Sequence, residues 1–190
     1  MVNKNILYIH GFNSSPNSLK AQQTKQFLSD RYANVNFYCP QVASSPNAAL
    51  AQLTTILNDN PGNWYLMGSS LGGYFATFFS EKYQLPCAII NPAVKPFELL
   101  NDYIGEQINP YSNEKYRVTE QFIDDLKAIE RQEITKKNYL VMVQTGDEVL
   151  DYQQAVNKYQ QCQLIVQSGG DHSFVNYSRL LPQVAQFFKL

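Results

Sequence analysis

Gly68-Ser69-Ser70-Leu71-Gly72 is a G-x-S-x-G pattern, with apolar residues before it and a helical pattern after it. A serine so placed is the nucleophile of an elbow: the turn is tight, the serine takes strained backbone angles, and its neighbours must lack bulk. Its hydroxyl is raised to a helix N-terminus, where the N–H of Leu71 can stabilise an oxyanion. Ser69 occupies the wrong position of the pattern and reads as a support of the turn. Serine attack needs a base, and the base needs an orienting carboxylate. The chain has only two histidines, His10 and His172, which makes the choice short. Acids come from "TGDEVLDY", which offers Asp147, Glu148 and Asp151.

The elements that must position these residues alternate. Short apolar runs cover Ile6–Phe12, Val35–Val42, Asn63–Ser69, Cys87–Ala93, Asn138–Gly146 and Gln163–Gly170. Helical patterns follow them over Asn17–Tyr32, Ser45–Asp59, Leu71–Tyr83, Tyr152–Gln160 and Tyr177–Lys189. Ser45 reads as a cap with Pro46 in the first turn. Such alternation predicts a mostly parallel sheet with helices on both faces. Sites in these sheets lie outside the carboxyl ends of the strands. Ser70, His10, Asn91 and His172 all fall on that rim. Residues 94–137 break the alternation: the stretch is polar, contains Pro96 and Pro110, and reads as a helical, cap-like insertion in a single domain spanning 1–190.

The order serine, acid, histidine along the chain is that of α/β-hydrolases. It selects His172 as base, because His10 precedes the serine. Asp147 is favoured as the acid, since it directly follows Gly146 at the strand's end. Glu148 would point differently, and Asp151 reads as a helix N-cap. Asp171 adjoins His172 but reads as a loop residue. His10 reads as a brace for the loop whose backbone N–H, at Phe12 or Asn13, supplies the second oxyanion donor. Asn91 lies before a proline at the site rim, as a turn residue, a loop orienter or a substrate contact. Insertion residues such as Phe97, Leu99, Leu100, Tyr103, Tyr116 and Phe122 either line an acyl pocket or pack onto the core.

Composition narrows the partners. The chain has 190 residues, 44% hydrophobic and 16% charged, with net charge −1. It carries no electrostatic footprint for nucleic acid or an anionic membrane. Cys39, Cys87 and Cys162 are too few and too far apart for a disulfide framework or metal-ligand spacing, and read as buried thiols. With no run of membrane-spanning length and no leader-like start, a cytoplasmic setting is the expectation. No metal or organic cofactor is expected.

"LYIHGFNSSPNS", "GSSLGGYFAT", "INPAVKPFELL", "TGDEVLDY" and "GGDHSF" together resemble the YqiA/YcfP-type esterases, a bacterial family of small α/β-hydrolases. The resemblance spans nearly the whole chain in matching order. It implies a shortened hydrolase core and activity on carboxylic ester or thioester acyl groups. It carries Ser70, Asp147 and His172 across as nucleophile, acid and base, and Phe12 and Leu71 as oxyanion donors. The same fold also hosts cleavage of amide and carbon–carbon bonds, and silent binding proteins. The intact set of roles argues against the last.

Overall fold

The computed structural model describes residues 3–190. Six parallel strands form the main sheet: β1 (Lys4–Ile9), β2 (Val35–Tyr38), β3 (Asn63–Ser70), β4 (Cys87–Pro92), β7 (Tyr139–Gln144) and β8 (Gln163–Gln167). Their order is β2-β1-β3-β4-β7-β8. Two short strands outside it, β5 (Gly105–Ile108) and β6 (Lys115–Val118), make an antiparallel hairpin.

The central strands are mostly apolar, with polar residues toward their ends, because both faces are covered. Side chains alternate along each strand. Leu7, Ile9, Leu66, Ile89, Val141 and Val143 face one core cluster. Ile6, Tyr8, Met67, Ala88, Ile90, Leu140 and Met142 face the other. The first cluster is closed by α2 (Pro46–Asp59), α3 (Leu71–Tyr83) and α6 (Tyr152–Lys158) through Ala49, Leu53, Leu57, Phe75, Phe79 and Ala155. The second is closed by α1 (Leu19–Arg31) and α7 (Leu181–Phe188) through Ala21, Leu28, Leu181, Val184 and Phe188.

Several expected boundaries shorten. β1 stops at Ile9, so His10–Phe12 leave the sheet and are free to shape a loop. The last helical pattern opens as a 3-10 turn over Tyr177–Leu180 before α7. Ser45 sits at the N-cap of α2 but its hydroxyl makes no capping bond. Asp151 does cap α6, accepting from the Gln153 N–H at 2.9 Å. Of the cysteines, only Cys87 is fully buried; Cys39 and Cys162 are half-buried, and all three are free.

The insertion is not purely helical, which corrects the expectation. It holds α4 (Pro96–Leu100), a 3-10 turn, the β5–β6 hairpin and α5 (Glu120–Ala128). The reason is local. Asn109 Oδ1 accepts from the N–H groups of Tyr111 and Ser112, and Asn113 adopts φ 58°, which turns the chain back on itself. β6 then alternates, with Tyr116 and Val118 inward and Lys115 and Arg117 outward. Leu100, Val118, Phe122, Ile123 and Leu126 join the core cluster under α2 and α3. Among the described residues no helix is long and apolar enough to cross a membrane.

Candidate active site

β3 runs straight into α3, and Ser70 is the residue between them. Its backbone angles are φ 54° and ψ −125°, a strained conformation for a residue with a side chain. The β3–β4 register shifts at this point, and Ser70 O accepts the Ala93 N–H at 3.1 Å. The turn is tight enough that only glycine fits on either side. A Cβ on Gly68 would collide with the Gly72 carbonyl, and one on Gly72 with the Ile9 and His10 carbonyls. Leu71 opens α3, where the first backbone N–H groups have no partner within the helix.

Asp147 and His172 meet across the loops after β7 and β8. His172 Nδ1 donates to Asp147 at 2.8 Å from Oδ2 and 3.0 Å from Oδ1. The Asp147 side chain is 2% exposed and that of His172 24%. Asp147 Oδ1 also accepts the N–H groups of Val149 and Leu150, at 2.9 and 2.8 Å. Burial alone would raise this carboxyl, but the His172 bond and charge and the two amides outweigh it. The group is held below its ordinary value and stays ionised. An ionised carboxylate at Nδ1 fixes the proton there and leaves Nε2 as the acceptor.

The other acids go elsewhere. Glu148 accepts the backbone N–H of His172 at 3.0 Å, which steadies the loop without touching the ring. Asp171 accepts from Ser173 Oγ at 2.5 Å. Lys20 Nζ donates to Ser173 O at 3.0 Å, and burial lowers its pKa against the pull of Asp171 and Asp147.

His10 is a brace. Its Nδ1 bonds Gly11 O at 3.0 Å, and its Nε2 accepts the Val42 N–H at 3.0 Å. Both ring nitrogens are used only by the neutral form. Burial pushes the imidazole below its ordinary value, against the Gly11 bond, which raises it. The next residue but one, Phe12, packs edge-on against Tyr103 at 5.3 Å and Tyr116 at 6.3 Å. Asn13 holds φ 50° and accepts from the Tyr116 hydroxyl at 2.6 Å. The insertion therefore grips the loop after β1 from above.

Asn91 is a loop orienter, at φ 39° on the end of β4. Its Nδ2 donates to Asp171 O at 3.0 Å and His172 O at 3.4 Å, while its Oδ1 accepts the Gln144 N–H at 2.9 Å. Sequence reasoning missed Gln144. This buried side chain accepts from the N–H groups of Asp171 (3.2 Å) and Val175 (2.8 Å), and donates to Val175 O and the Gln167 amide. It fills the histidine loop so closely that a Cβ on Gly170, itself at φ 77°, would overlap its amide. The signal was present: a glutamine ending the otherwise apolar, fully buried "YLVMVQ" must find partners inside.

Ser70 and His172 face one cavity of about 230 Å³, together with Phe12, Leu71, Leu100 and Tyr103. His10 and Asn91 do not line it. Of the insertion's apolar residues, Leu99, Leu100 and Tyr103 reach the cavity, whereas Phe122 is core.

The sheet order and the glycine-flanked turn at Ser70 are those of the α/β-hydrolase fold, and solved structures share that fold. Est1E from Butyrivibrio proteoclasticus superposes with a TM-score of 0.73 at 16% identity, over 98% of this chain and 86% of that one. Alpha/beta hydrolase domain-containing protein 10 from mouse gives 0.71 at 18%, over 97% and 89%. A monoacylglycerol lipase from Paleococcus ferrophilus gives 0.71 at 13%, over 96% and 94%. The chain belongs to UPF0227, described as an uncharacterised protein family and the YqiA/YcfP family of the sequence resemblance; its family model matches residues 5–189.

Proposed function

We propose that this protein is a serine hydrolase of carboxylic esters or thioesters, built as one domain with residues 94–137 as a cap. The observation that carries the reading is the Asp147–His172 contact at 2.8 Å, with His172 lining the same cavity as a serine at φ 54°. The monoacylglycerol lipase among the structural neighbours is consistent with it.

Ser70 Oγ attacks the acyl carbonyl carbon as His172 Nε2 takes its proton. Asp147 holds the imidazole by Nδ1 and offsets its positive charge. The negative oxygen of the tetrahedral intermediate is met by the N–H groups of Leu71 and Phe12. When the intermediate collapses, the leaving alcohol or thiol takes the proton from His172, and the acyl group remains on Ser70. Water then gives a proton to His172, attacks the acyl carbon, and releases the acid as the proton returns to Ser70.

Intact-mass labelling with a fluorophosphonate, alongside turnover of p-nitrophenyl butyrate, tests the reading. One adduct on the native protein and none on Ser70→Ala, with turnover lost in parallel, is expected. A folded native protein that takes no adduct, or a Ser70→Ala variant with unchanged turnover, overturns it.

A further inference from the structure

Lys20 is a half-buried cation that the mechanism does not use. Among the described residues its ammonium has no carboxylate within ion-pairing distance. Its hydrogen bond goes instead to a backbone carbonyl, that of Ser173, at 3.0 Å. Burial works against this charge, while the carboxylates of Asp171 and Asp147 work for it. Removing an ammonium from water without an ion pair costs stability, so its place beside the residue after His172 asks for a reason.

The His172 loop supplies it. Gly169, Gly170, Phe174 and Asn176 all hold positive φ, 67° at Phe174 and 60° at Asn176. Two of these carry side chains, so the chain does not adopt this path unaided. The loop is held by its carbonyls. Asp171 O and His172 O accept from Asn91, Phe174 O from the Tyr177 N–H at 3.2 Å, and Val175 O from Gln144. Ser173 O is left, one residue from the imidazole, and Lys20 takes it. The lysine is itself well placed to do so. Thr24 lies one turn further along α1, on the same face. It is buried, and its hydroxyl bonds Lys20 O and the buried Tyr177 hydroxyl, both at 2.8 Å. Helix α1 thus holds the chain at Ser173 and again at Tyr177, just after His172.

We infer that Lys20 is a positioning residue for His172, clamping to α1 the same loop that Asn91 and Gln144 clamp to the sheet. The inference rests on the proposed hydrolase reading, in which His172 is the base, and adds a residue that places it. Lys20 does not line the cavity over Ser70, so it acts through the loop backbone.

The test compares three variants. Lys20→Met keeps the apolar stem and loses the donor. Lys20→Arg keeps a charged donor. Lys25→Met removes an exposed charge from the same helix. Steady-state hydrolysis of p-nitrophenyl butyrate is normalised to active sites titrated with a fluorophosphonate. The proton between His172 Nδ1 and Asp147 is followed by its downfield proton NMR signal. Lys20→Met is expected to lower kcat per active site about tenfold, the worth of a hydrogen bond to a charged group, with KM nearly unchanged. Its downfield signal is expected to broaden as the loop admits water. Lys20→Arg is expected to recover kcat to within about threefold, and Lys25→Met to match the native protein.

Native kcat per active site in Lys20→Met overturns the inference, even where fewer sites titrate. An arginine that rescues nothing overturns it too, as does a Lys25→Met variant as impaired as Lys20→Met. A native protein with neither ester turnover nor a fluorophosphonate adduct brings down the hydrolase reading instead. The downfield signal of Lys20→Met then decides whether Lys20 holds the loop, and a signal unchanged from the native one says that it does not.

Discussion

Asn91 and Gln144 end neighbouring strands, and the Asn91 side-chain oxygen accepts the Gln144 backbone N–H at 2.9 Å. From that joint both side chains reach over to the loop that carries His172. Neither lines the cavity, so both act by placement. Asn91→Ala and Gln144→Ala are expected to lower kcat about 10²-fold with KM nearly unchanged, the cost of a base displaced by about 1 Å. A purely structural role would instead reduce the active fraction, which active-site titration with the fluorophosphonate measures.

Ser70 separates stability from activity. Its positive φ stores strain that glycine would not feel. Ser70→Gly is expected to unfold about 1–3 kcal/mol later than the native protein in a urea titration, and Ser70→Ala to gain much less, although both lose turnover.

Asp147→Asn keeps the shape of the side chain but removes the charge that fixes the proton on Nδ1 of His172. Under the proposed mechanism kcat is expected to fall about 10⁴-fold near neutral pH, as measured by steady-state ester hydrolysis.

His10 sets an acid limit on stability. Its folded-state pKa is lowered, so below a histidine's ordinary value of about 6.5 the unfolded chain binds the proton first. The stabilising contribution is complete above that value and is lost as pH falls from it toward the folded pKa. Asp147 contributes with the same sign of shift and the same slope: its folded pKa is also lowered, and its share is lost further down, in the carboxylate range. His10→Leu, which leaves the Val42 N–H without its acceptor, is expected to cost about 1–3 kcal/mol at pH 7 and to flatten the dependence just below pH 6.5. Urea midpoints across pH measure both.

The Tyr116 hydroxyl is the insertion's polar grip on the loop after β1. Tyr116→Phe keeps the packing on Phe12 and removes the bond to Asn13. A loss of about 1 kcal/mol in stability is expected, with kcat falling about tenfold or less and the fluorophosphonate adduct still forming on Ser70.

Strand and helix alternation was legible because each central strand is apolar on both faces, as in "YLVMVQ". Leu71–Tyr83 matched to the residue because a glycine-flanked turn starts it. The β5–β6 hairpin was hidden by its short strands and by the proline-bearing turn around Asn109, whose stabilising bonds come from a side chain. Ser70, Asp147 and His172 could be picked out as candidates because chemistry restricts the residue types and two histidines leave few choices, and the fold pairs Asp147 with His172 beside the cavity that Ser70 lines. The Asn91–Gln144 clasp could not, since it depends on residues up to 81 positions apart meeting at strand ends.

That same clasp bears on how the protein is made. On the ribosome, β1 to β4 and the serine elbow emerge well before Gln144, Asp171 and His172. A single domain folds as a unit, so it closes only when its last strand is out. Asn91 is then a socket waiting for its plug, and under the proposed mechanism the partly made chain carries a serine with neither base nor acid. Arming is therefore the last act of synthesis. Nascent chains arrested before β8 are expected to resist fluorophosphonate, and full-length chains to acquire the label as the sheet's final edge docks.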